Sequence, residues 1–251
     1  MRFSVPLACF ASALALAGCG SKQPDVTNGT EPKLVTSPAT APGGRPWTET
    51  VIKTPEGGYR MGNPNAPLKL VEYGSRTCPT CGLFGREGMQ PLENNYVKSG
   101  KVSYEFRDYM VHGAPDLPPA LLGRCGGTEI FFPLLEQMYQ EQAPFEEKLG
   151  NQAAVSALQA KLANADERQV ATGWADYLGY VDFVKQRGIP EAKARACLTD
   201  KSQIDALLAM TADAQQNKNV TGTPTFFLNG KLLDGELSWP QIEQSLKAGG
   251  A

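Results

Sequence analysis

Downstream of residue 60 the chain switches between two hydrophobic periods. Leu68-Lys69-Leu70-Val71-Glu72-Tyr73 is short, apolar and β-prone, and it is bounded by Pro67 and Gly74, which predicts a buried strand. Residues 83–98 read as a helix that Gly85, Gly88 and Pro91 should bend or interrupt. Residues 101–109 alternate β-branched or aromatic side chains with polar ones, a second strand. From about residue 113 to 214 the spacing is helical, over 118–125, 129–141, 151–163, 173–187, 191–197 and 202–218. Strand patterning returns at Thr225-Phe226-Phe227-Leu228, Asn229-Gly230 supplies a hairpin turn, and Lys231-Leu232-Leu233 runs back. Ser238 with Gln241 forms a capping-box pattern ahead of a last helix, 239–247. Two β-rich parts around one sheet, with helices inserted between them, predict an α/β fold.

Upstream of this part the pattern is different. Arg2 gives a short basic start, and Phe3 to Ala17 is apolar apart from small residues and Pro6, too short for a comfortable membrane span and suited to a signal-peptide core. It runs into Leu16-Ala17-Gly18-Cys19, which resembles the lipobox of bacterial lipoproteins, with Cys19 as the lipid-attachment residue. The alternative is an ordinary secretory signal that leaves Cys19 as a free thiol. More than half of residues 20–50 are Gly, Pro, Ser or Thr without periodicity, which predicts a flexible tether reaching roughly 30–35 Å. The expected organisation is a signal over 1–18, a tether over 19–58, a first β-rich part over 59–112, a helical insertion over 113–200 and a second β-rich part over 201–251, with the stretch from Trp47 to Tyr59 at the domain's edge.

Lys and Arg number 24 against 26 Asp and Glu, and no basic run appears, so nucleic acid is not an expected partner. Export governs how the six cysteines are read. Cys9 leaves with the signal and Cys19 takes the lipid, leaving Cys78, Cys81, Cys125 and Cys197. An even set in an oxidising compartment favours disulfides. The chain is too long to need them for want of a core, so at least one pair is expected to serve chemistry.

That pair is Cys78-Pro79-Thr80-Cys81. A cysteine attacks a disulfide as thiolate, and an ordinary thiol is mostly protonated at neutral pH. A sulfur at the first turn of a helix meets unpaired N–H groups and the positive dipole end, which favour the anion. Cys78 stands there, between a strand ending at Tyr73 and a helix whose first position suits Pro79. Cys78 is therefore the expected exposed nucleophile, and Cys81, one turn in, the shielded resolving thiol. The competing reading of a CxxC pair is half of a zinc site, but the other cysteines lie 72 residues apart and His112 is the sole histidine.

With MGNPNAPLKLVEYGSRTCPTCGLF, the helical block and VTGTPTFFLNGKLLDG, the sequence resembles the DsbA family of thiol:disulfide oxidoreductases, most closely the DsbA-like proteins of alphaproteobacteria with two cysteine pairs. The resemblance covers nearly all of residues 60–248. It implies a thioredoxin fold interrupted by an all-helical domain. It implies that Glu72 is an acid buried near the disulfide, where a desolvated carboxylate with a raised pKa takes the proton from Cys81; the alternative is a solvated strand residue. It also implies that Pro224 is a cis-proline facing the disulfide, with Thr223 pairing an extended substrate like an added strand and its side chain near Cys78. Pro79 and Thr80 complete the substrate-facing surface. Cys125 and Cys197 are implied to form a structural disulfide between helices, with two unpaired buried thiols as the alternative.

One departure bears on direction. Many members of the family place a histidine between the cysteines, and here Thr80 brings a hydroxyl and no charge, which predicts a weaker oxidant. Arg76 restores positive potential if it folds over the site. His112, beside Gly113, reads as a loop or packing residue and is left out of the site.

The expected function is dithiol–disulfide exchange with cysteine-containing exported proteins, chiefly disulfide formation, without a cofactor. A DsbB-like or DsbD-like membrane protein is the implied redox partner. The alternatives are a disulfide reductase or isomerase, and a surface lipoprotein binding module whose CxxC is structural or binds zinc. The expected location is the periplasm, lipid-anchored, with the outer membrane favoured because Gly20 and Ser21 are no inner-membrane retention signal.

Overall fold

The computed structural model describes residues 41–251. The signal segment, Cys19 and most of the expected tether lie outside the described residues. Strands β1 (Val51–Lys53), β2 (Tyr59–Gly62), β3 (Leu68–Gly74), β4 (Val102–Asp108), β5 (Thr225–Leu228) and β6 (Lys231–Leu232) form one sheet in the order β1-β2-β4-β3-β5-β6. β3 and β4 are parallel and every other neighbouring pair is antiparallel. β3 thus has a partner on each side, and its alternate residues Leu68, Leu70 and Glu72 all point to one buried face.

Helices α1 (Pro79–Pro91) and α10 (Trp239–Ala248) cover that face. Phe84, Met89, Ile242 and Leu246 pack there with Leu70, Tyr104, Phe106 and Phe226. α1 does not break at its glycines. It runs through Gly85 and Gly88 to Pro91 and then widens into a π-helical turn over Leu92–Val97. The glycines serve close packing: a β-carbon on Gly85 would lie 2.3 Å from the Tyr139 ring.

The N-terminal boundary also differs from the expected one. Trp47 is buried in a short 3-10 turn (Trp47–Glu49), and β1 adds to the sheet through β2. The folded part therefore includes residues assigned by composition to the tether, because three residues of edge strand are too few to show a period.

The inserted block contains α2 (Leu117–Arg124), α3 (Phe131–Gln140), α4 (Ala143–Gly150), α5 (Gln152–Leu162), α6 (Glu167–Leu178), α7 (Tyr180–Lys185), α8 (Glu191–Leu198) and α9 (Lys201–Asn217). It has its own core, including Leu122, Trp174, Tyr180 and Leu207. The single helix expected over 173–187 is two, because Gly179 adopts φ 92° and caps α6 before α7 starts. Helix α3 joins the two cores, sending Phe131, Leu135 and Tyr139 to the sheet and Leu134 and Met138 to the helices. α9 does the same: Ile204 and Leu207 face the helical core, while Ala214 packs near Tyr73 and Tyr109. Packing therefore does not divide at residue 200.

Candidate active site

β3 ends at Gly74, three residues turn the chain, and Cys78 is the N-cap of α1 with Pro79 in its first turn. The turn is clamped from two sides. Ser75 Oγ accepts from the Thr77 backbone N–H and donates to Asp116 (3.1 and 3.0 Å), and Thr77 Oγ1 donates to the same carboxylate. Opposite, the buried Gln142 amide donates to the carbonyls of Cys78 (2.9 Å) and Arg76 (3.1 Å). Gly82 makes room for it, since a β-carbon there would sit 1.8 Å from the Gln142 oxygen. Gln142 and Asp116 both belong to the inserted block, so that block fixes the geometry of the cysteine turn.

Cys78 and Cys81 are both free thiols and both buried. Cys78 is more covered than an exposed nucleophile was expected to be, at 6% exposure, because the loop before β5 crosses it: Cys78 Sγ lies 3.3 Å from the Thr223 carbonyl oxygen. The Thr223–Pro224 bond is cis. The Thr223 hydroxyl is buried without a hydrogen-bond partner of its own and is held beside the sulfur. Pro79 stands exposed and Thr80 half-buried at the same surface.

The electrostatics separate the two sulfurs. Cys78 is held down to about 5, first by the hydrogen bond from the Cys81 thiol, then by Thr223 and by the Cys81 and Thr80 N–H groups of the first turn, against the opposing effect of burial. Cys81, fully buried, is pushed well above the ordinary range by desolvation, by its bond to Cys78 and by the nearby Glu72. Glu72 is wholly buried, which excludes a solvated strand residue. Tyr104 donates to its Oε2, its Oε1 has no partner, and desolvation raises it to about 8. A carboxyl kept neutral beside a high-pKa thiol is equipped to exchange a proton with it.

Arg76 does not cover the sulfur. Its guanidinium is buried between Phe106 and Phe131, 5.2 Å from each ring centroid, and pairs with Asp108, which Arg124 also contacts at 2.7 Å. The basic side chain beside the site is His112, which sequence reasoning left out. Its Nδ1 lies 2.8 Å from Thr77 Oγ1 and 3.4 Å from Asp116, whose other oxygen accepts the His112 backbone N–H at 2.6 Å. Asp116 raises the imidazole pKa, and the Cys78 charge adds to the effect. Cys125 and Cys197 are bonded, S–S 1.99 Å, tying the end of α2 to α8. Among the described residues no group of three or more His, Cys, Asp or Glu is placed to hold a metal ion, and no helix is long and apolar enough to cross a membrane.

This arrangement of a strand, a cysteine N-cap and a facing cis-proline coincides with a sequence match: residues 54–248 fit the family profile described as thioredoxin. The chain belongs to the thioredoxin family. Among solved members, a protein-disulfide isomerase from Novosphingobium aromaticivorans superposes with a TM-score of 0.70 at 30% identity, over 76% of this chain and 97% of that one. Wolbachia pipientis alpha-DsbA1 superposes with a TM-score of 0.58 at 18% identity, covering 76% and 89%. The fold is thus the DsbA type, a thioredoxin fold carrying an inserted helical domain. An inferred protein-disulfide oxidoreductase of Rickettsia bellii is 24% identical over 182 residues, 72% of this chain and 61% of that protein. The chain therefore spans about three-fifths of the length of that relative.

Sequence reasoning missed Gln142, Asp116, Ser75, Thr77 and Tyr104 as parts of the site. Tyr104 had a signal: it lies in the strand paired with β3, on the face that carries Glu72. Gln142 and Asp116 had none, since each reaches the turn from the N-cap of an inserted helix whose placement only the tertiary fold decides.

Proposed function

We propose that the protein is a thiol:disulfide oxidoreductase that forms disulfides in exported proteins containing cysteine pairs. The observation that carries this reading is the division of labour between Cys78, held as thiolate at a helix N-terminus, and Cys81, held protonated behind it next to a neutral Glu72. In the oxidised form a client thiolate attacks Cys78 Sγ. The Cys78–Cys81 bond breaks, Cys81 leaves as thiolate, and the Glu72 carboxyl supplies its proton. The client's second thiol gives its proton to solvent and attacks the client sulfur of the mixed disulfide, and Cys78 leaves as a stabilised thiolate. The client gains one disulfide and the protein keeps the two electrons as a dithiol.

Leaving-group stability favours this direction. The reduced state that ends the reaction is the one in which Cys78 is stabilised by Cys81 and Thr223, even though Thr80 brings no charge. A DsbB-like membrane partner is the proposed acceptor for the electrons. The periplasmic side and a lipid anchor at Cys19 are proposed from the signal and lipobox pattern.

A second direction is supported by the likeness to the Novosphingobium protein-disulfide isomerase. A DsbD-like donor serves that case by keeping the pair reduced. The equilibrium potential of the Cys78–Cys81 pair against glutathione separates the two: a pair that stays reduced in an oxidising glutathione buffer, or scrambled clients repaired faster than reduced ones are oxidised, assigns isomerisation. Cys81→Ser protein is expected to accumulate client mixed disulfides at Cys78. Failure to trap any client on Cys78 overturns both directions.

A further inference from the structure

A cavity of about 320 Å³ lies between the cysteine turn and the inserted domain, and the exchange steps make no use of it. Its apolar part comes from Pro79, Pro115, Leu149 of α4 and Val155 of α5. Thr77, His112 and Glu146 supply the polar part. Thr77 and Pro79 are the immediate chain neighbours of Cys78, so the cavity opens one residue from the sulfur on either side of it. Leu149 and Val155 are partly buried against the helical core, and Thr77 and His112 are fixed through Asp116, so the walls are anchored rather than loose side chains.

We propose that this cavity is a client-selecting subsite that seats an uncharged apolar side chain, of leucine or phenylalanine size, standing two residues from the client cysteine bonded to Cys78. The proposal rests on the oxidoreductase reading given above. A client joined to Cys78 and extended along Thr223 advances about 3.3 Å per residue, and side chains two apart emerge on the same side about 7 Å from each other. In this proposal the side chain two residues from the client cysteine is the one that reaches the cavity beside Thr77 and Pro79. Because the client is covalently held, the subsite acts on an intramolecular equilibrium and modest burial is enough to select.

The polar groups argue for an uncharged occupant. Asp116 already engages the His112 imidazole, so an acidic side chain meets no free cation there, and a basic one gains only a solvent-screened pair with the half-buried Glu146. Either one still loses hydration on entry.

The test uses the full chain in its oxidised form and dithiol peptides that differ only two residues from the first cysteine, with leucine, aspartate or lysine there. The rate of protein reduction is read for each. The leucine peptide is expected to react about tenfold faster than either charged one, the lower end of what burying a leucine side chain supplies. In Leu149→Asp and, separately, Val155→Asp that ratio is expected to fall to about one. The readout is a ratio within one protein, so loss of folded material cancels. Equal rates for the three peptides in the unsubstituted protein, or an unchanged ratio in both variants, overturn the subsite. Rates with every peptide and with glutathione no faster than those of an unactivated disulfide overturn the oxidoreductase reading and the subsite with it.

Discussion

The Cys78 sulfur lies 3.3 Å from the carbonyl oxygen of Thr223, a contact that spans 145 residues of sequence. It brings the helix turn of the first β-rich part against the loop entering the second. The Thr223 backbone therefore borders the sulfur directly. The first expectation follows from the donors around that sulfur. Reduced protein titrated by thiolate absorbance should show one group ionising near pH 5, and Cys81→Ala, which removes the donor, should move it upward, since the Cys81 thiol is the largest stabiliser. A midpoint near the ordinary 9.0 in the unsubstituted protein overturns the reading.

The same depressed value fixes a stability profile. A group whose folded pKa lies below its unfolded one stabilises the fold fully above the unfolded value, and the effect is lost as pH falls through the folded value. For Cys78 that window runs from 9.0 down to about 5. The reduced form should gain stability relative to the oxidised form as pH rises from 5 to 9, because only the reduced form carries the titrating sulfur. Paired denaturant melts of the two forms across that range check it, and parallel curves contradict it.

Glu72 has the opposite sign. Its folded pKa is raised from 4.5 to about 8, so its contribution is fully present below 4.5 and is lost as pH rises through 8. Glu72→Gln keeps the Tyr104 hydrogen bond and removes the titration. It should therefore flatten the loss of stability between pH 4.5 and 8, and slow the steps that move a proton at Cys81 by about 10²-fold. Alkylation of Cys78 by a small reagent should be far less affected. Equal slowing of both reactions points to a structural role for Glu72.

These sites were legible in the sequence to unequal degrees. Cys78 and Cys81 announce themselves because a buried strand and a proline-started helix flank them directly, so local pattern and chemistry agree, whereas Glu72 was reached through the family resemblance. Gly85 was misread as a bend, and Gly82 was not singled out. Their absence of a side chain is explained by Gln142 and Tyr139, which lie more than 50 residues away and whose approach no local pattern encodes. Arg76 was misplaced for the same reason: proximity in sequence suggested the active site, while Asp108, Phe106 and Phe131 draw it into the interior.

The glycine contacts give a fourth expectation. Gly85→Ala places a β-carbon 2.3 Å from the Tyr139 ring and should destabilise the protein by about 1–3 kcal/mol, the usual cost of overpacking. The Cys78 titration should stay in place, because the clash falls on the α1–α3 packing. Gly82→Ala displaces Gln142 from the Cys78 and Arg76 carbonyls and should alter the titration as well. Two variants with the same melting shift and the same thiolate midpoint contradict the assignment of Gln142 as the clamp of the turn.

His112 closes the electrostatic argument, because it supplies charge from outside the motif. Its pKa is raised by the hydrogen bond to Asp116, against burial, with further help from Asp116 and Cys78 charge. Glu146 lines the same cavity from α4, so the groups facing the imidazole are Asp116, Cys78 and Glu146. A raised histidine contributes stability fully present below its unfolded value of 6.5 and lost as pH rises through the higher folded value. Over the pH range where Cys78 ionises the imidazole is therefore charged, and it favours the thiolate. His112→Asn preserves the bond to Thr77 and removes the charge. It should raise the Cys78 midpoint and make the pair a weaker oxidant against glutathione. If the asparagine variant leaves both midpoint and potential where they were, His112 only packs the loop, and the thiolate depends on Cys81 and Thr223 alone.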